Sequence, residues 1–347
     1  FILGFAAAHL LMPDAGMSRS ERRKLQQLPE LSAQAFISGE YMTQLEDYMS
    51  DQFPMRDELR TLQSAVCFYV FRQLDNNGIY LIGDTVYKSD PALDENAVRL
   101  TAEKINEVCE KYLTNGNRVW YSMIPDKNYF AADSGYPTMD YDKLISILDE
   151  KLNNLSYLDI FDTLDITDYY RTDIHWRQEK LPDTSRALLE MMGVSYTPAQ
   201  YEENVLYPFY GAYYGQAGLP VEPDELVYMT SPLTQSARVT ALDSSAGENV
   251  YEPERINDLD GYNVFLSGAQ PLITVENSNA QGGELILFRD SFGSSIAPLL
   301  LEGYSRITLV DLRYISTDLL GDYVDFKGAD ILFLYSTTLI NSGGVLR

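Results

Sequence analysis

Apolar positions recur every three or four residues from residue 18 to about residue 71, as in AFISGEYMTQLEDYMSDQF, and this period predicts amphipathic helices. Pro54 interrupts the pattern. The following segment, GIYLIGDTVYK, alternates apolar and polar residues around Gly83-Asp84, which predicts a hairpin or an edge strand. The chain therefore begins with a helical layer, followed by short strands.

Strand-like and helix-like segments alternate in residues 117–190 and again in residues 283–336. RVWYSMIP, SYLDIFDTL, ELILF, RITLVDLRY and ADILFLYS are short apolar runs, whereas YDKLISILDEKLNNL and TSRALLEMMG have helical periodicity. Such alternation predicts an α/β fold with a mainly parallel sheet covered on both faces. Residues 194–280 break this rhythm with segments rich in Tyr, Gly and Pro, and we interpret them as an irregular, strand-containing insertion.

The first residues, FILGFAAAHLLM, form a continuous apolar run followed by Pro13-Asp14 and the basic segment SRSERRK. The run is shorter than the roughly 20 residues that a transmembrane helix needs. We interpret residues 1–16 as the remnant of a signal peptide or membrane anchor, and residues 17–347 as a single domain. This predicts an extracytoplasmic protein, secreted or tethered to the membrane. The alternative is a short buried helix of the domain.

The composition is that of a globular protein, with 45% hydrophobic and 22% charged residues. Its formal net charge of −25 repels phosphate backbones, so we predict no nucleic-acid partner. The 26 tyrosines suit stacking on sugars, or are half-buried strand and interface residues. Cys67 and Cys109 belong to no ligand pattern, and we expect buried free thiols, with a single disulfide as the alternative.

His175, in RTDIHWRQ, is the one histidine placed for chemistry, because His9 lies in the apolar N-terminal run. A second signal is GELILFRDSFGSSIAPLLLEG, where a buried strand and a helix are joined by a tight corner that contains Ser291. Open α/β sheets bind ligands at such corners, where helix amides stabilise negative charge. Ser291 is therefore a candidate nucleophile; the alternative is a residue that only caps the helix.

Attack by a serine hydroxyl needs a base that accepts its proton and an acid that orients the base. Asp173 precedes His175 by two residues, so in an extended or turn segment both side chains project to the same side. We predict a triad of Ser291, His175 and Asp173 at the carboxyl end of the sheet. The alternative for His175, next to Trp176, is a packed structural residue. The sequence contains no metal-ligand motif such as HExxH, and we predict neither a bound metal nor a cofactor.

The segments YYRTDIHW and LILFRDSFGSSIAPLL resemble the DHHW family of bacterial surface proteins and, more distantly, the SGNH-type alginate O-acetyltransferases. Further similarity follows in the expected order along nearly the whole chain, as in ISGEYMTQLEDYMSDQFPMRD, NNGIYLIGD and GYNVFLSGAQPLITVEN. The resemblance implies a three-layer α/β/α fold of the SGNH-hydrolase type, with N-terminal helices and the insertion. It also implies the roles of Ser291, His175 and Asp173, and matches Asp290 to the acidic residue that precedes the serine.

The chain departs from the family pattern at three positions. Ile174 stands where the family name expects the first of two histidines, and Arg289 replaces the Gly of the GDS motif, where a larger side chain would narrow the approach to the corner. FLSGAQ is comparable with the blocks that complete an SGNH oxyanion hole. There Gly268 offers a backbone amide, but Ala269 replaces an Asn, and loss of one such donor lowers the rate ~10²–10³-fold.

The resemblance implies an acetylesterase or O-acetyltransferase that acts on an extracellular glycan or a small acyl ester. We predict a tyrosine-lined cleft near Ser291, and a neutral rather than an anionic polymer because the chain is acidic. The candidates for substrate contact are Tyr210, Tyr213, Tyr214 and Trp176. The alternative is a non-catalytic carbohydrate-binding or surface scaffold protein on the same fold, which the residues at positions 174 and 269 favour.

Overall fold

The structure is a computed structural model that describes residues 9, 11–18, 21–76, 78–218, 221–243, 246–342 and 345–347. Most of the apolar N-terminal run, residues 1–8 and 10, lies outside the described residues, so the interpretation of residues 1–16 stays a prediction. Within the described part of the chain, no helix has the length and apolar character needed to cross a bilayer.

Helices and strands alternate through much of the chain. The strands are β1 (Met17–Ser18), β2 (Arg23–Lys24), β3 (Ile79–Ile82), β4 (Thr85–Lys88), β5 (Val119–Ile124), β6 (Ser156–Leu158), β7 (Glu202–Phe209), β8 (Asp224–Thr230), β9 (Arg238–Ala241), β10 (Leu272–Glu276), β11 (Glu284–Arg289), β12 (Arg306–Val310) and β13 (Asp330–Ser336). The α-helices are α1 (Ala33–Ser38), α2 (Glu40–Asp51), α3 (Arg56–Ala65), α4 (Glu95–Tyr112), α5 (Tyr141–Lys151), α6 (Pro182–Met191), α7 (Ala212–Ala217), α8 (Pro232–Ser236), α9 (Gly293–Ile296), α10 (Leu320–Tyr323) and α11 (Thr337–Asn341). Short 3₁₀ turns and a π-helix at Val66–Val70 complete the set.

The described residues divide into two compact units. The smaller unit comprises the described parts of Phe1–Lys88, Arg171–Asp173 and Tyr210–Pro223. The larger unit comprises those of Ser89–Tyr170, Ile174–Phe209 and Asp224–Arg347. The interpretation of residues 17–347 as one domain stays a prediction.

A seven-stranded sheet in the order β6-β5-β13-β11-β12-β10-β9 forms the centre of the larger unit. The strands from β6 to β12 in this order pair in parallel, whereas β10 is antiparallel to both of its neighbours. This confirms the predicted mainly parallel sheet. The strands are continuously apolar because both faces are buried: Leu285 and Leu287 lie in one core, Ile286 and Phe288 in the other.

Helices cover both faces of this sheet. Val98 of α4 and Leu144 of α5 are buried in the core that contains Phe288, and Leu188 of α6 is buried in the core that contains Leu287. The three-layer α/β/α arrangement is therefore confirmed. The predicted helix SSIAPLLLEGY is shorter than expected, because α9 ends before Pro298 and only a 3₁₀ turn follows.

The smaller unit contains α1, α2, α3 and α7 with the predicted hairpin of β3 and β4. Ile79 and Val86 form its buried core, and the rings of Tyr80 and Tyr87 stack with centroids 5.1 Å apart. The stretch before α1 is less helical than its apolar period indicates, because β1 and β2 pair there as short antiparallel strands.

The segment predicted as an irregular insertion, residues 194–280, contains more regular structure than its composition indicates. The strands β7 and β8 pair with each other, while β9 and β10 extend the central sheet. Within this segment, Tyr210–Pro223 belongs to the smaller unit. Strands were expected in this segment, but their pairing with the central sheet was not. β10 pairs with β12, which lies about thirty residues further along the chain.

Both cysteines are free thiols. Burial raises the pKa of the Cys109 thiol to about 12, and the nearby Glu110 carboxylate adds to this shift. Cys109 therefore stays protonated and unreactive at neutral pH.

Candidate active site

Ser291 lies in the corner between β11 and α9, and the carboxylate of Asp290 holds this corner in place. Asp290 Oδ1 accepts a hydrogen bond from the Phe292 amide at 3.0 Å. Its Oδ2 accepts two more from Ser336, at the end of the neighbouring strand β13, from the amide at 2.9 Å and the hydroxyl at 2.6 Å. A carboxylate that only accepts cannot donate to an oxyanion. Of the two roles open to Asp290 from the sequence, support of the nucleophile corner or part of the oxyanion hole, these contacts fit support of the corner.

The structure brings Ser291 and His175 together. Ser291 Oγ lies 2.7 Å from His175 Nε2, within hydrogen-bond distance. His175 is 3% exposed, whereas Ser291 is half-buried and reachable from solvent. The backbone amide of Ser291 makes no hydrogen bond to any described residue, so it can donate to a bound oxyanion. A hydroxyl, a base and one oxyanion donor therefore meet at this corner.

Tyr262 orients the imidazole of His175, and this residue was not predicted. The two rings stack in parallel with centroids 3.8 Å apart and planes inclined by 6°. The Tyr262 hydroxyl donates to Ser295 Oγ at 2.7 Å, which fixes the phenol ring beneath the imidazole. This stacking holds the imidazole ring in a fixed plane next to Ser291. The only signal in the sequence was the GYNV block of the family resemblance.

Trp176 is a structural residue, which corrects its prediction as a substrate contact. Its side chain is fully buried, and Nε1 donates to Ser295 Oγ at 2.8 Å and to the Phe292 carbonyl at 3.2 Å. Neither the indole face nor its N–H can reach a glycan. The alternation of side chains that turns His175 toward Ser291 turns Trp176 into the core.

Arg289 does not narrow the approach to Ser291, contrary to the prediction from the sequence. Its side chain is fully buried and points inward, where Nη2 donates to the Gly268 carbonyl at 3.2 Å and Nη1 to the Asp290 carbonyl at 3.3 Å. Asp311 forms an ion pair with Nη1 at 3.6 Å. Burial lowers the pKa of Arg289, and the Asp311 carboxylate opposes this shift. Arg289 thus joins the 268 loop to the nucleophile corner.

Gly268 is not the oxyanion donor that the resemblance implied. Its amide donates to the Phe265 carbonyl at 3.0 Å, so the proton is already used within the chain. The backbone at Gly268 is left-handed, with φ of 77°, and a Cβ there would overlap the side chain of Asn263. Ala269 is exposed, and Ile174 packs its side chain against the core of the larger unit. Among the described residues, no group of three or more His, Cys, Asp or Glu could hold a metal ion.

Asp173 belongs to the smaller unit, where its carboxylate is fully buried. Asp173 Oδ2 accepts a hydrogen bond from the Ala212 amide at 2.6 Å and forms an ion pair with Arg22 Nη1 at 3.2 Å. Gly211 allows this approach, because a Cβ there would overlap the Thr172 carbonyl. The Ala212 amide and the Arg22 guanidinium both hold this carboxylate in place.

The predicted tyrosines also lie in the smaller unit. Tyr210 and Tyr214 line a cavity whose lining residues all belong to that unit. Tyr213 packs instead against the core of Ile79 and Val86, and its amide donates to the Thr172 carbonyl at 2.9 Å. Tyr213 is half-buried against the core of the hairpin, and its role as a substrate contact stays a prediction.

No protein-family model matches the sequence, and no curated protein matches it either. Solved structures do match. A DHHW family protein from Eubacterium siraeum is similar with a TM-score of 0.63 and 21% sequence identity, over 78% of this chain and 94% of that chain. This chain has the fold of the DHHW family. The resemblance noted in the sequence is thereby confirmed for the fold.

PatB1 from Bacillus cereus shares this fold too. One structure of PatB1 is similar with a TM-score of 0.60 and 16% identity, over 78% of this chain and 99% of PatB1. A second, with a sulfonyl adduct, has a TM-score of 0.59 and 17% identity, over 77% of this chain and 98% of that chain. At these identities the similarity establishes the DHHW-type architecture, and the chemistry rests on the side chains of this chain.

Proposed function

We propose that the protein is a serine-dependent acyl-transfer enzyme, which moves an acetyl group from an ester to water or to a glycan hydroxyl. The observation that carries this proposal is the 2.7 Å distance between Ser291 Oγ and His175 Nε2 at a strand-to-helix corner. At this distance a neutral imidazole accepts the hydroxyl proton as the oxygen attacks a carbonyl. A sulfonyl adduct exists on PatB1, which shares the fold, and it supports testing this chain with sulfonyl reagents.

The reaction has two symmetrical halves. Ser291 Oγ forms a bond to the acyl carbon while His175 Nε2 takes its proton, and the Ser291 amide donates to the resulting oxyanion. The tetrahedral intermediate then loses the alkoxide, which receives the proton from His175. In the second half, His175 deprotonates water or a sugar hydroxyl, whose oxygen attacks the acyl carbon. The bond to Ser291 Oγ then breaks, and Oγ takes back the proton from His175 Nε2. Tyr262 holds the imidazole ring in its plane in both halves.

Asp173 is the orienting acid in this proposal. Support comes from its position two residues before His175 in the chain and from its buried, ion-paired carboxylate. In this role the carboxylate accepts the Nδ1 proton, selects the tautomer with a free Nε2 and stabilises the imidazolium. Arg22 then acts as a positioning residue, because it holds the carboxylate without touching the substrate.

Arg22→Met is expected to lower kcat for an aryl acetate about 10-fold, since a charge-assisted hydrogen bond to the acid is lost. Arg22→Lys should recover part of that loss. Arg23→Met is the matched control: it removes the same charge at the next position, but Arg23 pairs with Asp51 and Glu21 rather than with Asp173. Steady-state kinetics of the three variants test the role. Equal losses of kcat for Arg22→Met and Arg23→Met would contradict it.

The substrate class follows from the family resemblance and the charge. A formal charge of −25 opposes binding of a polyanion, so the acceptor in this proposal is a neutral surface glycan, and the protein acts outside the cytoplasm. One observation favours a second candidate, a non-catalytic glycan-binding protein. Because the Gly268 amide is used by Phe265 and Ala269 lacks a donor side chain, the corner retains fewer oxyanion donors than the family pattern implies.

An acyl-transfer assay separates the two candidates. The protein is incubated with an aryl acetate, with and without a neutral oligosaccharide, while phenol release is followed by absorbance and acetylation of the sugar by mass spectrometry. The acyl-transfer proposal predicts release above the uncatalysed rate and acetyl groups on the sugar. Release without sugar acetylation identifies an esterase. A background rate in both assays would leave the glycan-binding candidate as the better account.

A further inference from the structure

The smaller unit contains a cavity of about 490 Å³. It is lined by Ala15, Met17, Ser18 and Leu25 of the N-terminal part, by the end of α2 with the first turns of α3, and by Tyr210 with α7. Its volume falls within the roughly 300–1,000 Å³ typical of small-molecule sites. The cavity is therefore large enough for a ligand, and the chemistry of its lining indicates which kind.

The cationic side chains of the lining are held in place by neighbours of the same unit. Arg56 and Arg60 both form ion pairs with Glu21, and Arg60 Nη2 also donates to the Gly215 carbonyl at 2.8 Å. These contacts fix the guanidinium groups and offset their charge. Each guanidinium has five N–H groups, so donors remain beyond these contacts.

Acidic side chains outnumber the basic ones in the lining, since Asp51, Asp57 and Glu58 accompany the two arginines. Asp51 forms a bidentate pair with Arg23, with distances of 2.8 and 2.5 Å. This pair lowers the pKa of Asp51 to about 2, so its carboxylate is ionised at any physiological pH. An anionic ligand would meet repulsion here, whereas hydroxyl groups could donate to carboxylates and accept from guanidiniums.

Tyr210 and Tyr214 add an aromatic wall. Their rings meet edge to face, with centroids 4.9 Å apart and planes inclined by 72°, and both are half-buried. A drug-like apolar ligand would need a mostly hydrophobic lining. A sugar instead has a C–H face that packs on an aromatic ring and a rim of hydroxyls that suits charged groups on the other walls.

We propose that this cavity is a binding site for a short neutral saccharide, the part of the acceptor glycan that the protein holds. The identity of the ligand as an acyl acceptor rests on the proposed acyl transfer. Saccharide binding itself rests only on the cavity, so an experiment can refute saccharide binding and acyl transfer independently of each other.

The test is binding of cellohexaose and chitohexaose, both neutral, and of the anionic hexagalacturonate, by isothermal titration calorimetry. We expect the protein to bind at least one neutral hexasaccharide and to bind hexagalacturonate at least 10-fold more weakly. Tyr210→Ala and Tyr214→Ala should each weaken binding about 5- to 100-fold, because each substitution removes an aromatic ring that lines the cavity. Tyr69→Ala is the matched control, because Tyr69 is 67% exposed in the same unit and does not line the cavity.

Thr61→Val and Glu58→Gln, two smaller changes in the lining, repeat the test if the tyrosine variants fold poorly, as judged by thermal unfolding. The Ser291→Ala protein should bind the sugar as the parent does. Binding without any turnover of an aryl acetate would support the cavity and refute the acyl-transfer proposal. Absence of binding by both neutral sugars, binding that no lining variant weakens, or tighter binding of hexagalacturonate would overturn the cavity proposal.

Discussion

Ser291→Ala and His175→Ala are each expected to lower turnover of an aryl acetate by roughly 10⁴–10⁶-fold, as for members of other serine triads. The reason is that the hydroxyl and the imidazole act as one unit, joined at 2.7 Å, and neither accomplishes proton transfer and attack without the other. The double variant should therefore be little slower than either single variant. Initial rates of phenol release, corrected for the uncatalysed reaction, measure this effect.

Ser294→Ala is the matched control for the nucleophile. Ser294 lies three residues further on, and its buried hydroxyl has no hydrogen-bond partner among the described residues. Its removal should leave the rate unchanged. Ser291→Ala should cost well under ~2 kcal/mol of unfolding free energy, since this half-buried hydroxyl is lost from the surface of the corner. Equal rates for the parent, Ser291→Ala and His175→Ala would show that the serine and the histidine are structural residues.

Asp290→Asn is expected to lower the free energy of unfolding by about 2–4 kcal/mol and to lower turnover at least 10-fold. The carboxylate accepts three hydrogen bonds, from the Phe292 amide and from both donors of Ser336. An Asn side chain has one acceptor oxygen, and its NH₂ group would face a buried donor. At least one N–H or O–H then loses its partner, and the corner that carries Ser291 moves.

Urea denaturation measures the change in the free energy of unfolding for Asp290→Asn. Asp322→Asn is the control, because Asp322 is exposed in the same unit. The slope of the transition should be unchanged while the midpoint falls. Loss of turnover at an unchanged midpoint would mean that Asp290 acts in the chemistry rather than in support of the corner. An unchanged midpoint and rate would contradict the account of the corner altogether.

The sequence predicts the parts of the site that depend on local pattern. The strand ELILF, the corner at Ser291 and the hairpin at Gly83 are encoded in neighbouring residues, and each is present in the structure. His175 could be selected because the chain has only one other histidine. The pairing of Ser291 with His175 was predictable because a serine nucleophile requires a base. In the resemblance to the DHHW family, the Asp-x-His motif also precedes the serine along the chain.

What could not be predicted depends on contacts between distant residues. Tyr262 is one of many tyrosines, and only the folded chain places its ring against His175. Because arginines are seldom fully buried, the sequence places Arg289 at the approach to the corner. In the structure it is buried: two carbonyls accept hydrogen bonds from its guanidinium, and Asp311 forms an ion pair with it. Likewise, the use of the Gly268 amide by Phe265 depends on a left-handed turn that composition does not specify.

Mapping of a covalent label tests the central claim most directly. The parent protein, Ser291→Ala and His175→Ala are treated with an aryl sulfonyl fluoride, digested and analysed by tandem mass spectrometry. The account predicts a single sulfonyl group on Ser291 in the parent, no label in Ser291→Ala, and labelling at least ~10²-fold slower in His175→Ala, because the imidazole activates the hydroxyl. An unlabelled parent, or a label that persists in Ser291→Ala, would contradict the assignment of Ser291 as an activated nucleophile.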